Sequence, residues 1–272
     1  MANNFTSDSN AKALYSLESG ALGTDSLNAT NMTNSGVTAN TSEFREKAAS
    51  GSFVAASTQY MFLANSSLPA GFPFKSDDSV KSGSISAWVY MNSLPSGANV
   101  IWSKYNSVTA EERSISVQVR NYSGSAKATM ALGYASGTAV EVVPEHATAL
   151  SLTTWYHITW TYNNTDKSYG IYIRDVNGNT VGVDKTGTAT LDVNKLSVTT
   201  GPMTVGCFYV SGAPFANYIM NGLIDELVVF NDILTAAEST QIAKGIYGIK
   251  YSGYIGDLKL GHNVLGSRGL SK

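Results

Sequence analysis

Residues 217–245 read NYIMNGLIDELVVFNDILTAAESTQIAKG, a sequence that passes from an apolar strand through a polar corner into a capped helix. Taken as a strand, it alternates Leu223, Asp225, Leu227 and Val229 onto one face and Ile224, Glu226, Val228 and Phe230 onto the other. Both faces are apolar, so the strand should be covered on two sides. Adjacent Asp225 and Glu226 should then point to opposite faces, each costly to bury unless hydrogen-bonded, and a structural role is expected for both. Beyond Asn231-Asp232, Thr235 can cap the amide of Glu238 while Glu238 reaches back to the amide of Thr235. The helix should stop at Gly245, which can adopt a left-handed conformation.

The rest of the chain supplies strands for such a strand to join. Ser84–Met91 alternates Ile85, Ala87, Val89 and Met91 against Trp88 and Tyr90, and reads as a second central strand, with 99–104 as its partner after the Pro95-Ser96-Gly97 turn. Tyr156, Ile158, Trp160 and Tyr162 share one face of a third. Short strands are also expected near 13–17, 59–63, 114–121, 127–133, 138–143 and 169–173, with Ser116, Gln118 and Arg120 on an exposed face. Asn177-Gly178 is a favoured two-residue hairpin turn. Even spacing of short strands and turns predicts an all-β, two-sheet antiparallel jelly-roll sandwich with one short C-terminal helix.

Three of these segments resemble laminin-G-like domains of the concanavalin A-like lectin superfamily. They are Ser84-Ile85-Ser86-Ala87-Trp88-Val89, the run Trp155-Tyr156-His157 to Tyr162-Asn163, and Gly222-Leu223-Ile224-Asp225-Glu226-Leu227 with Val229-Phe230-Asn231 and Leu234-Thr235. The resemblance spans residues 11–246, which leaves a polar leader, 1–10, and an arm, 247–272. The arm interleaves Tyr247, Tyr251 and Tyr254 with glycines and carries Lys250, Lys259 and Arg268. These side chains are expected to contact neighbouring subunits.

Composition limits the function. The 272 residues are 43% hydrophobic and 14% charged, with a formal net charge of -2. Basic residues are scattered rather than striped, and no dinucleotide or phosphate-loop motif occurs, so nucleic acid is not an expected partner. No run of 18 apolar residues suggests a membrane span. The start lacks the basic and apolar regions of a secretory signal, and the single Cys207 excludes an internal disulfide.

Glycan-hydrolysing members of the superfamily place paired carboxylates on same-face positions of one strand, a spacing that Asp225 and Glu226 do not have. Glu141 and Glu145 lack an identifiable partner. His157 lacks a nucleophile motif beside it, and catalytic residues and cofactors are not expected. Many proteins of this resemblance bind calcium through loop oxygens, and Asp175-Val176-Asn177-Gly178-Asn179 is the candidate loop for calcium here, although a hairpin turn explains the same residues. Trp102, Tyr105, Tyr122 and Tyr134 lie near candidate loops and are the candidate glycan contacts, although a sandwich of this size also needs aromatics for its core, which explains the same residues. The leading expectation is a non-catalytic structural or decorating protein of an assembled particle, a bacteriophage virion. The alternative is a carbohydrate-binding adhesin or lectin outside a virion, extracellular or at a cell surface.

Overall fold

The computed structural model describes residues 2–75, 80–106, 113–133, 140–190, 196, 200–210 and 212–249. In chain order the strands begin with β1 (Ala11–Tyr15), β2 (Thr33–Ser35), β3 (Thr38–Asn40), β4 (Ser50–Phe53), β5 (Tyr60–Leu63) and β6 (Gly83–Met91). They continue with β7 (Ala98–Tyr105), β8 (Arg113–Tyr122), β9 (Ser125–Gly133), β10 (Val140–Val142), β11 (Trp155–Tyr162) and β12 (Ser168–Arg174). The last are β13 (Lys185–Thr188), β14 (Met203–Val205), β15 (Cys207–Val210), β16 (Ala213–Ile219) and β17 (Gly222–Phe230), followed by helix α1 (Ala236–Ala243).

Among the described residues, one sheet runs β13-β12-β11-β6-β17-β4-β3 with β1 also paired to β17, and the other runs β10-β9-β8-β7-β14-β5-β2. Their pairings are antiparallel. The sheets face one another across a single large core of alternate side chains, including Ile85, Ala87, Val89, Ile158, Trp160, Ile171 and Ile224 from the first and Trp102, Val117, Met130 and Val205 from the second. The sandwich expected from strand spacing is therefore present. One pairing differs: β6 and β7 are consecutive but lie in different sheets, because the chain crosses the core edge at 92–97 rather than turning back beside itself.

Strand β17 is central, with partners β6, β4 and β1. Its alternation breaks at a β-bulge between Asp225 and Val228, where Glu226 takes φ 46°. The extra residue changes the facing pattern. Ile224, Leu227 and Val229 point into the main core, whereas Val228 and Phe230 join a separate cluster on the outer side. The strict two-face alternation expected from the sequence holds only up to Asp225.

Helix α1 covers the outer side of the first sheet. Trp88, Trp155, Leu223 and Ala243 form an apolar patch beneath it. Polar contacts complete the seal: Thr159 Oγ1 lies 2.9 Å from Ser239 Oγ, and Arg174 Nε donates to Thr240 Oγ1 at 2.8 Å. The Arg174 guanidinium also pairs with both oxygens of Asp184, at 2.5 and 2.9 Å. The helix begins with the expected capping box, Glu238 N donating to Thr235 Oγ1 and Thr235 N donating to Glu238 Oε2. Gly245 ends it at φ 67°. Replacing Thr235 by Ala should cost about 1 kcal/mol, read as a lower urea midpoint with an unchanged denaturant slope.

The two ends of the described chain meet on this side. Phe5, Phe230 and Tyr247 form a ring triad with centroids 5.6–6.0 Å apart. Asn4 N donates to Tyr247 O, Tyr247 N to Asn3 Oδ1 and the Tyr247 hydroxyl to Asp8 Oδ2, at 2.8, 2.9 and 2.6 Å. Tyr247, assigned to the arm from its glycine-rich context, is 7% exposed and belongs to the domain. The other arm candidates, Lys250, Tyr251, Tyr254, Lys259 and Arg268, lie outside the described residues.

Candidate functional site

The outward face of the second sheet carries the site. On β14, Met203 and Val205 enter the core while Thr204 faces out. Gly206 then turns the chain at φ 88°, and a Cβ there would lie 2.5 Å from the Phe53 ring, so glycine is needed both for the dihedral and for the space. This turn lays the β15–β16 hairpin against the sheet instead of extending β14. In sequence alone, the run 203–209 reads as one strand.

The hairpin divides the aromatic side chains into two groups. On its β5 side, Tyr209 packs 5.7 Å from Tyr60 and 6.3 Å from Phe62, ring centroid to centroid, and its hydroxyl donates to that of Tyr60 at 3.1 Å. Tyr60 and Phe62 occupy the face opposite core-directed Met61 and Leu63. Burial pushes the Tyr209 hydroxyl up from its usual range, and the bond to Tyr60 adds to this, so the phenol stays neutral. On the other side, Phe208 stacks with Phe215 and Tyr218 at 6.2 and 4.4 Å, with Phe215 40% exposed.

Beside Tyr209 an open cleft of about 510 Å³ is lined by Phe62, Asn65, Ser66, Thr200, Pro202 and Tyr209. Buried Lys104 steadies its floor: Nζ donates to Asn65 Oδ1 at 2.7 Å and to Gly201 O at 2.5 Å. Aromatic faces next to an amide and hydroxyls can hold a ligand that presents apolar C–H faces and ring hydroxyls together. Farther across the sheet, Ser103, Ser114, Ser116 and Gln118 share the outward face of β7 and β8. All four are buried, although Ser116 and Gln118 were expected on an exposed face, and Ser103 Oγ, Ser114 Oγ, Ser116 Oγ and Gln118 Oε1 have no protein hydrogen-bond partner.

The candidate glycan contacts divide between the core and the surface. Trp102 is fully buried in the core, 6.0 Å from Phe74, and its face is closed to any ligand. Tyr105 is 7% exposed and covered by Phe208 at 4.9 Å. Tyr122 is half-buried, with the Arg120 guanidinium 6.0 Å from its ring, and Tyr134 lies outside the described residues. None of the three described residues lines the cleft. Proximity to loops was the criterion that selected them, and it missed Tyr60 and Phe62, whose alternation with Met61 and Leu63 marks an outward aromatic pair.

The carboxylates are engaged structurally. Asp225 is fully buried, and its Oδ2 accepts from Arg45 N and Glu46 N at 2.8 and 2.9 Å, which holds the 45–47 segment on the sheet. Desolvation pushes its carboxyl up to about 7, against the two amides and helped by Glu18. Glu226 accepts from Asn3 Nδ2 at 3.1 Å, and the same amide donates to Ile242 O at the end of α1. Desolvation, then the charge of Glu46, raises Glu226 to about 8. The bulge thus brings both carboxyls against the same 45–47 segment, contrary to the opposite faces expected of neighbours on a regular strand.

His157 lies buried under α1, with Nε2 2.8 Å from Ser86 Oγ. Burial, assisted by the Arg174 charge, lowers it to about 3, so it is a neutral structural imidazole. Glu145 gains a partner in Lys127 at 3.6 Å. In the 175–179 turn, Asp175 Oδ1 accepts from the amides of Asn177 and Asn179 and Oδ2 accepts from Asn179 Nδ2, so the turn's own donors occupy the carboxylate. Strand pairing resumes after the turn only as a bridge from Arg174 to Thr180 and then in β13, a longer return than a two-residue hairpin. Among the described residues no group of three or more His, Cys, Asp or Glu side chains is arranged to hold a metal, and no helix is long and apolar enough to cross a membrane.

Comparison with known proteins gives a match to the laminin G family of the Concanavalin A-like lectin/glucanases superfamily over residues 55–238. A search of the curated proteins finds no match. Similar solved structures include the enzymatically active domain of Bacteriophage CBA120 tailspike protein 2, with 13% identity and a TM-score of 0.50 over 91% of this chain and 31% of that one. They also include the CBM40 of the Ruminococcus gnavus IT-sialidase, at 14% identity and a TM-score of 0.47, covering 60% of this chain and 83% of the module. A heptameric SAP-like pentraxin from Limulus polyphemus matches at 14% identity and a TM-score of 0.44, over 60% of this chain and 70% of the pentraxin. At these identities the likeness concerns the fold.

Proposed function

Because the chain belongs to the laminin G family of the Concanavalin A-like lectin/glucanases superfamily, we propose that it is a non-catalytic carbohydrate-binding sandwich whose glycan site is the cleft beside Tyr209. The observation that carries this reading is the convergence of Phe62 and Tyr209 with Asn65, Ser66 and Thr200 around one open volume. A pyranose ring can lay its C–H face on an aromatic wall while its hydroxyls meet the polar rim. The absence of catalysis rests on the use made of Asp225 and Glu226. Glycoside hydrolysis needs two carboxyls flanking an open bond site, and these two are buried and committed to backbone and side-chain amides. Neither a metal nor a cofactor enters the proposal.

A glycan array probed with the full chain tests it, followed by titration of the best ligand into Phe62→Ala and Tyr209→Ala. Each substitution should weaken binding about tenfold or more, the loss of one good contact of roughly 1.4 kcal/mol. An array with no retained glycan, or variants that bind as tightly as the parent, would overturn the assignment.

The proposal extends to setting: the sandwich serves as a surface component of an assembled particle, a bacteriophage virion, where it contacts neighbouring subunits. The fold likeness to the tailspike domain over 91% of this chain is compatible with that setting. Mass spectrometry of purified particles from the source decides between this and a free lectin or adhesin.

A further inference from the structure

Residues 41–49 cross the outer side of the first sheet between β3 and β4 without joining a strand. Side chains, not a backbone ladder, hold them down. The Arg45 guanidinium lies 4.7 Å from the centre of the Trp88 ring and donates through Nη2 to Val176 O at 3.1 Å, while Trp155 Nε1 donates to Glu43 Oε1 at 2.6 Å. Between these contacts the segment hangs on Asp225, whose Oδ2 takes the amides of Arg45 and Glu46, and Ala48 N donates to Glu18 Oε2 at 3.3 Å.

Four carboxyls therefore meet beneath and along this segment. Glu18 acts on Asp225, and Glu46 and Asp225 act on Glu226, in each case disfavouring the anion. The bases nearby are engaged elsewhere: Arg45 with Trp88 and Val176, and Lys47 through Nζ with Ser16 Oγ at 2.7 Å. Lys47 acts on Glu226 less than either acid does, and Asn3 Nδ2 from the leader is the remaining group that faces it. Asp225 is fully buried, and its Oδ1 has no hydrogen-bond partner. An oxygen so placed is costly to leave as an anion and suited to carry a proton.

Deprotonation works against the closed arrangement. It sets two adjacent anions at the β17 bulge, out of water, with Glu46 above them and Glu18 beside them. Lifting 43–48 admits water to all four carboxyls and separates Glu46 from Glu226. The amide bonds to Asp225 oppose this, but burial outweighs them, since its carboxyl is raised in spite of them. The closed state holds the protons and the open state releases them, so closure is complete at low pH and is lost as pH rises through about 7 and about 8.

We propose that 43–48 is a proton-operated strap, closed while Asp225 and Glu226 are protonated and released when both are ionised, which uncovers Trp88 and Trp155 beside Ala243. The release is local, and it is independent of the glycan cleft on the other sheet.

Hydrogen exchange on the full chain tests it. Protection factors, corrected for the intrinsic rise of exchange with pH, should fall at least about tenfold between pH 6 and pH 9 for the amides of Arg45, Glu46 and Ala48. At each pH they should lie well below that of Trp160 in the core. Asp225→Asn with Glu226→Gln, which keeps both acceptor oxygens but cannot ionise, should make strap protection independent of pH. Glu46→Gln, on the half-buried strap itself, should shrink the fall without touching the buried pair. Strap protection equal to that of Trp160 at pH 9 would show that the segment leaves only with the whole domain, and a fall that persists in both variants would assign it to other groups. Either result overturns the proposal.

Discussion

The protein should grow more stable as the buffer is taken from pH 8 to pH 5. Glu226 is raised to about 8 and Asp225 to about 7 in the folded state, from ordinary values of 4.5 and 3.8. For a carboxyl raised on folding, the native state holds a proton that the unfolded chain has lost, so its stabilisation is complete below the unfolded value and disappears as pH rises through the folded one. The window is therefore roughly pH 4.5–8 for Glu226 and 4–7 for Asp225. His157 acts in the opposite sense: lowered to about 3 from 6.5, it costs stability as pH falls below 6.5, because only the unfolded chain then takes up the proton.

Adding the three slopes puts the optimum near pH 4–5 and the net gain from pH 8 to 5 on the order of 3–5 kcal/mol. Urea midpoints across that range measure it. Glu226→Gln should flatten the upper half of the profile, pH 7–8, where Glu226 titrates without Asp225. A profile that is flat, or that falls toward pH 5, would refute the burial of these two acids as described.

The second large effect concerns the end of the domain. Tyr247→Ala should lower stability by about 3–5 kcal/mol, since it removes a ring from the Phe5–Phe230–Tyr247 cluster and leaves a cavity there. Tyr247→Phe, which removes only the hydroxyl bonded to Asp8, should cost about 1 kcal/mol. Truncation exposes the same boundary. A chain ending at Ile249 should keep its stability to within about 1 kcal/mol, whereas one ending at Ile246 should lose as much as the alanine variant. Equal urea midpoints for the two truncations would put the domain boundary before Tyr247 and contradict the structure.

The features legible in the sequence were those written in a local repeat. The alternation of Tyr156, Ile158, Trp160 and Tyr162 identified a core strand, and Thr235-Ala236-Ala237-Glu238 identified the helix start, because in each case neighbours a few residues apart dictate the geometry. What escaped depended on partners distant in sequence. The bulge at Glu226 needs one extra residue relative to β6, and nothing in Asp225-Glu226-Leu227 announces a register set by a strand more than a hundred residues earlier.

The candidate site was less legible for the same reason. Trp102 was expected inside the 99–104 strand, but a strand that short does not say which of its faces meets the other sheet, and the structure turns Trp102 inward opposite Val117. The cleft joins 62–66 to 200–209, two segments that only the pairing of β5 with β14 brings together. Gly206 was the available clue, a glycine inside an apparently continuous strand, which often marks a bend or close packing.

The position of β17 also bears on how the protein is made. Its partners β1, β4 and β6 are complete by residue 91, yet the strand that joins them begins at residue 222. At synthesis rates of about 5–20 residues per second, on the order of ten seconds separate the two events. Throughout that interval β6 has an unpaired edge and apolar residues on both faces, the kind of surface that recruits other chains. Until its last strand arrives to occupy the slot in the middle of the sheet, that edge stays open to pairing with another chain.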